Sequence, residues 1–290
     1  MKWSLSVPKM AHFYWGGGKL LYMRFLSITS FMKHNPDWVV VFHYPKEPFK
    51  GRSWYTDMYP PKINEAVCKD YFPELLKLNV IRNEVDFKAL GASRNMAEVH
   101  KNDYIRVHVL KLYGGLWSDM DIIYFRPVTE LTVNKPENKD KKAFVCIANY
   151  GHSTGFNMAL PDSEFFKIIS ENLNNEYRPS AYQCWGPDMW NKYFRTLKSI
   201  PGGCEIGMDA VYAHNCHQVK ELLTENLNVL STIEIPFCGS KVNIKARFTE
   251  HSVGCHWYGG NTLWPDFWNK TAGGEKNLPK CLISDLIEQV

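Results

Sequence analysis

The chain contains 290 residues, of which 45% are hydrophobic and 22% are charged, and its formal net charge at pH 7 is +4. This length and composition predict one globular domain with a sizeable apolar core. The small net charge tolerates anionic ligands but does not indicate a nucleic-acid partner, because nucleic-acid binding needs a concentrated basic stripe. The sequence has no run of about 18 apolar residues, so we expect no transmembrane helix.

The eight cysteines provide no Cys-x-x-Cys pair and no tight disulfide framework. Residues 1–8 are too short and polar to be the apolar part of a signal peptide. Together these features predict free thiols in a reducing compartment and a cytoplasmic protein. Cys204, His214, Cys216 and His217 are residue types that bind zinc, but their spacing matches no usual structural zinc site.

Apolar runs alternate with helical patterns through the first half of the chain. We predict strands over residues 10–15, 38–44 and 79–85 and a helix over residues 20–34. This alternation is typical of an α/β fold, in which helices flank a mostly parallel sheet. The region from Pro45 to Pro61 is rich in Pro, Gly and aromatic residues and predicts an irregular excursion.

Three glycines, Gly16-Gly17-Gly18, follow the first predicted strand. Successive glycines allow the backbone to approach a ligand closely, but a flexible turn explains them equally well. The segment lacks the Lys-Ser/Thr of a phosphate-binding loop and the spacing of a dinucleotide fingerprint, so neither of these is predicted.

A further helix is predicted over about residues 95–113, with Ser93 as its candidate N-cap. Asp103 and Arg106 lie one turn apart within a largely apolar stripe of this helix. Buried charges must pair with each other or contact a ligand. The pattern therefore allows either a mutual ion pair that tolerates burial or a polar site at the edge of the sheet.

Asp119 and Asp121 lie between Gly114-Gly115, where that helix ends, and an apolar strand predicted over residues 122–128. Two carboxylates separated by one residue at a strand edge can offer oxygen ligands to a hard divalent ion. Such a pair is common on solvated loops. With two glycines before it and an aromatic, β-branched strand after it, this pair predicts a metal site for a phosphorylated donor.

The second half begins with a predicted buried strand over residues 143–148. Residues 149–160, rich in Gly, Ser, Thr and Asn, predict a ligand-binding loop at the end of that strand. Helices are predicted over about residues 162–173 and 187–198, and strands over residues 232–235 and 252–257. Asp188, directly after Gly186-Pro187, is typical of a helix start. His256 taken alone is more typical of a packed histidine than of a ligand.

Three segments together resemble the Asp-x-Asp sugar-binding glycosyltransferases. They are Pro8-Lys9-Met10-Ala11-His12-Phe13-Tyr14-Trp15-Gly16-Gly17, Asn102-Asp103-Tyr104-Ile105-Arg106 and Tyr113-Gly114-Gly115-Leu116-Trp117-Ser118-Asp119-Met120-Asp121. The chain is similar to the initiating α-1,6-mannosyltransferases, the α-1,4-galactosyltransferases and, more distantly, the large bacterial glucosylating toxins. The resemblance covers residues 1–128 well and residues 143–190 loosely. Beyond these it rests mainly on His256-Trp257, where the toxins carry a Ser-x-Trp-like segment.

The resemblance implies a GT-A fold, with a single Rossmann-like, mostly parallel sheet flanked by helices in one domain over residues 1–290. A nucleotide-sugar half would occupy about residues 1–128, and an acceptor-side half with an irregular C-terminal region would occupy about residues 129–290. The implied reaction transfers a hexose, with retention of its anomeric configuration, from a UDP- or GDP-sugar to a hydroxyl of a glycan, lipid or protein. The implied cofactor is Mn²⁺ or Mg²⁺.

The same resemblance implies roles for individual residues. Asp103 and Arg106 would hold the donor sugar, and Asp119 would hold hydroxyls of the ribose and the sugar. The metal would be bound by Asp121 most directly, by Asp119 and by His256. The donor-binding residues would be Phe13, Tyr14, Trp15 and Gly16 beside the base, Asn157 and Asp188 near the sugar, and Trp257.

Two other classes of protein are compatible with these residues. A nucleotide-sugar or carbohydrate binding protein could keep the fold and the acidic residues without turnover. A metal-dependent phosphohydrolase would use the same carboxylates but release inorganic phosphate. The donor, the acceptor and the linkage formed are not readable from the sequence.

Overall fold

A computed structural model describes residues 7–51, 68–92, 96–131, 133–148, 151–197, 200–215, 219 and 248–259. The strand predicted over residues 232–235 lies outside these residues, as do Cys216 and His217 of the zinc-type group. Most of the predicted irregular C-terminal region is likewise outside them.

The described residues form nine strands and five α-helices. The strands are β1 (Met10–Tyr14), β2 (Val39–Pro45), β3 (Ile81–Val85), β4 (Gly115–Ser118), β5 (Ile122–Tyr124), β6 (Ala143–Ala148), β7 (Gly151–Ala159), β8 (Gly203–Ile206) and β9 (Gly254–His256). The helices are α1 (Tyr22–His34), α2 (Phe72–Leu75), α3 (Glu98–Leu112), α4 (Glu164–Glu176) and α5 (Pro187–Leu197).

Seven of these strands make one sheet in the order β3-β2-β1-β4-β7-β6-β8, and β5 pairs with β9 in a separate two-stranded sheet. The pairs β1–β2, β2–β3, β1–β4 and β6–β8 are parallel, whereas β7 runs antiparallel to both of its neighbours. The sheet thus joins strands from both predicted halves of the chain. The predicted α/β fold, with one mostly parallel sheet flanked by helices, is confirmed.

The two faces of the sheet are covered by separate apolar clusters because side chains alternate along each strand. Phe13 of β1 packs with Phe31 of α1 on one face. Tyr14, the next residue, packs on the opposite face in the cluster that contains Ile105 and Val109 of α3. Coverage on both faces explains the nearly continuous apolar runs of the central strands.

Residues 149–160 were predicted to be a loop, and this prediction is wrong because most of them form β7. Gly and Asn have weak strand preference, but β7 lies between β4 and β6 and is paired on both sides. Tertiary pairing therefore overrides local preference in this segment. Strand β4 was also unpredicted, so that Asp119 and Asp121 lie between two strands rather than before a single strand.

Within the described part of the chain, no helix combines the length and apolar character needed to cross a membrane. None of the five cysteines in that part forms a disulfide bond.

Candidate functional site

The turn between α3 and β4 fixes where the Asp-x-Asp pair lies. Gly114 and Gly115 adopt φ values of +66° and +89°, which side chains rarely tolerate. A Cβ on Gly115 would lie 2.3 Å from the carbonyl oxygen of Met10, so glycine alone lets β4 begin this close to β1. Asp119 then follows the last residue of β4, and its backbone N–H donates to the Gly155 carbonyl of β7 at 2.8 Å.

A buried chain of polar side chains supports this turn. His12 Nε2 lies 3.1 Å from the Gly114 carbonyl oxygen, which can only accept, so His12 donates from Nε2 and accepts at Nδ1. His43 Nε2, 3.0 Å away, therefore donates to His12 Nδ1, and His43 Nδ1 accepts from Asn83 at 2.9 Å. Burial lowers the pKa of His12 to about 4 and that of His43 to about 3. Both rings are neutral at pH 7.

Arg106 joins Asp103 and Asp119. Its Nη1 donates to Asp103 Oδ1 at 2.6 Å and its Nη2 to Asp119 Oδ1 at 2.9 Å, while its side chain is 2% exposed. The mutual ion pair within α3 therefore exists, and the same guanidinium also extends to the Asp-x-Asp pair. The buried charges are therefore paired, as burial requires, and the same ion pairs form a polar site.

Burial raises the pKa of Asp103, and the nearby Asp119 charge adds to this effect against the attraction of Arg106. For Arg106, burial lowers the pKa, but the attraction of Asp119 and Asp103 outweighs it and the net pKa is raised. Arg106 therefore remains a cation within the site.

The two oxygens of Asp119 have different surroundings. Oδ1 accepts from Arg106, from Trp117 Nε1 at 2.9 Å and from Asn102 Nδ2 at 3.3 Å. Oδ2 accepts no hydrogen bond from the residues that the structure describes. A Cβ on Gly155 would lie 2.8 Å from Oδ2, so a glycine at this position keeps the space beside that oxygen open.

Asp121 is held by the C-terminal part of the described chain. Pairing of β5 with β9 places Ile122 opposite His256, and His256 Nε2 lies 3.1 Å from Asp121 Oδ1. The Gly259 N–H donates to Oδ2 at 3.0 Å, and Arg24 lies 3.7 Å from the same oxygen. Burial raises the pKa of Asp121, but His256, Arg24 and the Gly259 N–H outweigh it and hold the pKa well below its ordinary value. Asp121 is therefore ionised.

His256 also accepts a hydrogen bond at Nδ1 from the Tyr258 N–H at 3.3 Å. A neutral His256 in this arrangement carries its proton on Nε2 and donates it to Asp121. In this structure, His256 orients the Asp121 carboxylate.

A cavity of about 170 Å³ brings these groups together. Five predicted site residues line it: Asp103, Arg106, Asp119, Asp121 and His256. The other lining residues, to which the sequence analysis gave no individual role, are Val99, Asn102, Ser153, Thr154, Gly155, Tyr182, Gln183, Pro187, Tyr212 and Tyr258. Ser153, Thr154 and Gly155 belong to the polar segment that was predicted to bind a ligand, whereas Tyr212 carries no local sequence signal.

Two predicted donor-binding residues lie around Arg24 rather than in the cavity lining. The Arg24 guanidinium lies 5.0 Å from the Trp15 ring centroid and 4.8 Å from that of Trp257. Because Arg24 also approaches Asp121, both indoles are connected to the Asp-x-Asp pair through one cation.

The other residues predicted at the base belong to β1 and its end. Phe13 is fully buried in the apolar core. Tyr14 donates its hydroxyl hydrogen to Glu98 Oε2 at 2.6 Å. Gly16 lies against the same carboxylate, since a Cβ there would be 1.8 Å from Glu98 Oε2. These residues are not in the cavity lining.

The two residues predicted near the sugar also lie outside the cavity lining. Asn157 is fully buried, accepts from the Cys146 N–H at 3.2 Å and donates to the Thr154 carbonyl oxygen at 2.8 Å. Asp188 is in the first turn of α5, where its half-exposed side chain lies 3.4 Å from Arg178.

The side chains present fit a hard divalent ion that shares its coordination with a ligand. Among the described residues, no group of three or more His, Cys, Asp or Glu side chains could hold a metal ion by itself. Asp121 and the Asp119 Oδ2 at the open space beside Gly155 offer carboxylate oxygens of the kind that Mg²⁺ and Mn²⁺ prefer. Phosphate oxygens and water would complete such a site.

Comparison with known proteins bears on this site. Residues 25–138 match the sequence model of the family described as "Glycosyltransferase sugar-binding region containing DXD motif". None of the curated proteins matches the sequence. The matched segment contains Asp103, Arg106, Asp119 and Asp121.

Several solved structures are similar to this chain. PaToxG glycosyltransferase has 17% identity and a TM-score of 0.47 over 68% of this chain and 71% of its own. The glycosyltransferase GlyE of Streptococcus pneumoniae TIGR4 has 9% identity and a TM-score of 0.43, over 70% of this chain and 46% of its own. The galactosyltransferase LgtC has 14% identity and a TM-score of 0.45, over 97% of this chain and 100% of its own. The family match agrees with the predicted resemblance: residues 25–138 are similar to the sugar-binding region of the DXD-containing glycosyltransferases.

Proposed function

We propose that this protein is a metal-dependent glycosyltransferase that moves a hexose from a UDP- or GDP-sugar to a hydroxyl of a glycan, lipid or protein, with retention of the anomeric configuration. The observation that carries the proposal is the link from Asp103 through Arg106 to Asp119 beside the same cavity as Asp121. The pair to which we assign the sugar and the carboxylates to which we assign the metal therefore border one cavity.

The donor sugar is assigned to Asp103 and Arg106. A carboxylate accepts hydrogen bonds from sugar hydroxyls, and a guanidinium donates to sugar or phosphate oxygens. Asp103 Oδ1 accepts from Arg106, whereas Oδ2 lies next to Gly186, 3.5 Å from the position that a Cβ on Gly186 would take. The fixed Arg106 fork holds both aspartates in place before the donor binds, which lowers the cost of ordering the site.

The metal is assigned to Asp121 and to Oδ2 of Asp119. A bound Mn²⁺ or Mg²⁺ would act as a Lewis acid that neutralises the charge developing on the departing nucleoside diphosphate. Asp121 is held ionised by its neighbours and so remains ready to bind a cation. His256 supports it through Nε2; direct ligation through that atom would require the other tautomer and loss of the Tyr258 contact.

We assign the binding of the donor's nucleotide base to the end of β1, where Trp15 is partly exposed. An indole face can stack on a nucleotide base. Phe13, Tyr14 and Gly16 position Trp15 through the core and through Glu98, and Trp257 forms the far side of the Arg24 stack. Asn157 positions Thr154, a residue of the cavity lining, by donating a hydrogen bond to its carbonyl oxygen. Asp188 lies at the start of α5 next to Pro187, which also lines the cavity, and we assign it a positioning role there.

A panel of UDP-glucose, UDP-galactose, UDP-N-acetylglucosamine and GDP-mannose in the presence of Mn²⁺ tests the proposal. We expect one donor to raise the melting temperature and to be hydrolysed slowly to free sugar and nucleoside diphosphate, since transferases commonly use water in the absence of an acceptor. Proton NMR of the first sugar released should show the donor's own anomer. Binding without any turnover would favour the binding-protein alternative, and release of inorganic phosphate would favour a phosphohydrolase.

A further inference from the structure

Thr154 presents a hydroxyl to the cavity from a backbone that is held firmly. The pairing of β6 with β7 shifts register between Val145 and Ile147. The Asn157 side chain fills this irregularity: it accepts from the Cys146 N–H at 3.2 Å and donates to the Thr154 carbonyl oxygen at 2.8 Å. Thr154 is buried, and its hydroxyl forms no hydrogen bond with the residues that the structure describes. The hydroxyl is therefore left for a ligand.

Gly186 marks the space that this hydroxyl borders. A Cβ on Gly186 would lie 3.5 Å from Asp103 Oδ2 and 3.7 Å from both Thr154 Oγ1 and the Gln183 carbonyl oxygen. Asp103, Thr154 and Gln183 all line the cavity. Three oxygens, one from α3, one from β7 and one from the turn before α5, therefore surround a single point at its edge.

The hydrogen-bonding capacity of these oxygens matches a hydroxyl group. Asp103 Oδ2 accepts no hydrogen bond within the described part of the chain, because Arg106 donates to Oδ1. The Gln183 carbonyl oxygen accepts from the Gly186 N–H at 3.0 Å and keeps a second lone pair. The Thr154 hydroxyl can both donate and accept, as can a sugar hydroxyl. A phosphate oxygen can only accept, and its charge would oppose that of Asp103.

We propose that Thr154 is a ligand-contacting residue that hydrogen-bonds a hydroxyl of the transferred sugar, and that the missing side chain at Gly186 gives this hydroxyl its space. This inference rests on the proposed function and deepens it, since it requires a hexose with a free hydroxyl at this point. The donor sugar is chosen because Asp103, to which we assign it, borders the same point. Asn157 is a positioning residue, since it acts on the ligand only through Thr154.

Gly186→Ala tests the space. The protein itself tolerates the added Cβ, because 3.5–3.7 Å is ordinary van der Waals contact and Gly186 does not adopt a positive φ. The methyl group would instead occupy the place of the sugar hydroxyl. We expect an unchanged melting temperature, binding of the panel's nucleotide sugar weakened at least about tenfold, and unchanged binding of the matching nucleoside diphosphate, with both affinities measured in Mn²⁺ by titration calorimetry.

Thr154→Val tests the hydroxyl, because it removes the oxygen and keeps the shape. It should weaken nucleotide-sugar binding about fivefold to tenfold, the range for one lost hydrogen bond, and leave nucleoside diphosphate binding unchanged. Thr29→Val is the matched control and should change neither affinity, because the Thr29 hydroxyl contacts the Phe25 carbonyl within α1. In a series of donors that each lack one sugar hydroxyl, wild type and Thr154→Val should bind one member equally well.

The two variants decide the proposal independently, so either one serves if the other does not fold. Unchanged nucleotide-sugar affinity in a folded Thr154→Val or Gly186→Ala protein would overturn the proposal, as would equal weakening for nucleotide sugar and nucleoside diphosphate. A Thr154→Val defect that persists with every deoxy donor would also overturn it. If the wild type binds neither ligand, the proposed function itself fails and the role of Thr154 fails with it.

Discussion

Lowering the pH from 7 to 5 is expected to destabilise this protein through two buried histidines. His12 and His43 are neutral and hydrogen-bonded as donors through Nε2, so a second proton on either ring would face the donor that now occupies its Nδ1. Burial lowers the pKa of His12 to about 4 and that of His43 to about 3, from 6.5 in the unfolded chain. Between these values and 6.5 the unfolded state binds more protons, so stability falls as the pH falls.

The size of the effect follows from the width of that interval. Each pH unit in which the unfolded histidine is protonated and the folded one is not costs about 1.36 kcal/mol. At pH 5, about 1.5 units below the unfolded pKa, each histidine costs about 2 kcal/mol and the two together cost about 4 kcal/mol. Against a typical unfolding free energy of about 5–15 kcal/mol, this loss is large enough to measure.

Urea unfolding of the wild type and of His43→Asn at pH 7 and pH 5 measures the effect. Other groups also titrate in this range. The raised pKa of Asp103 means that its protonation favours the folded state as the pH falls, which opposes the effect of the histidines. The informative quantity is therefore the difference between the two proteins. The wild type should lose about 2 kcal/mol more than His43→Asn on going to pH 5. The same loss in both proteins, or histidine ring resonances of His12 and His43 that titrate near 6.5, would refute the reasoning.

Three further substitutions probe the site. Gly115→Ala places a side chain at φ +89° and 2.3 Å from a carbonyl oxygen of β1, and should lower the unfolding free energy by about 3 kcal/mol or more in urea. Gly155→Ala has no such backbone strain, but its Cβ would lie 2.5 Å from Tyr212 Oη and 2.8 Å from Asp119 Oδ2. It should weaken nucleotide-sugar binding at least about tenfold by calorimetry and lower the unfolding free energy by about 1–3 kcal/mol. Arg106→Lys cannot bridge Asp103 and Asp119 with two parallel donors, and should slow donor hydrolysis about 100-fold.

Each of these expectations has a contradicting outcome. A Gly115→Ala protein of wild-type stability would show that the turn does not require glycine. Unchanged nucleotide-sugar affinity in Gly155→Ala would place the ligand away from Asp119. Wild-type turnover by Arg106→Lys would show that the Arg106 bridge between Asp103 and Asp119 is not needed for the reaction.

The parts of the fold that the sequence predicts are those with strong local patterns. Strands β1 and β2 are continuous apolar runs, and α1 ends at His34, directly before Asn35-Pro36, so the existence of these elements follows from local sequence. Strand β7 was missed because its Gly, Ser and Asn residues match a loop, and only its two neighbours make it a strand.

The candidate site divides in the same way. Asp103 and Arg106 could be singled out because charges within an apolar helical stripe demand a partner, and the Asp-x-Asp pair could be singled out by its flanking glycines and strand. Tyr212 could not be predicted, because its place depends on hydrogen bonds to residues more than forty positions away in β9 and on Ser153 in β7. The Arg24 stack is likewise a product of the fold, since it joins the end of β1 to Trp257.

The most direct test of the central claim is hydrolysis of the donor chosen by the panel, in Mn²⁺, by wild type, Asp121→Asn and Asp37→Asn. Asp37 is an exposed aspartate paired with Lys9, and its substitution controls for loss of a carboxylate elsewhere. Asp121→Asn should keep its fold by circular dichroism and lose at least about 100-fold in rate, whereas Asp37→Asn should match the wild type. A folded Asp121→Asn protein that hydrolyses the donor at the wild-type rate would contradict the account.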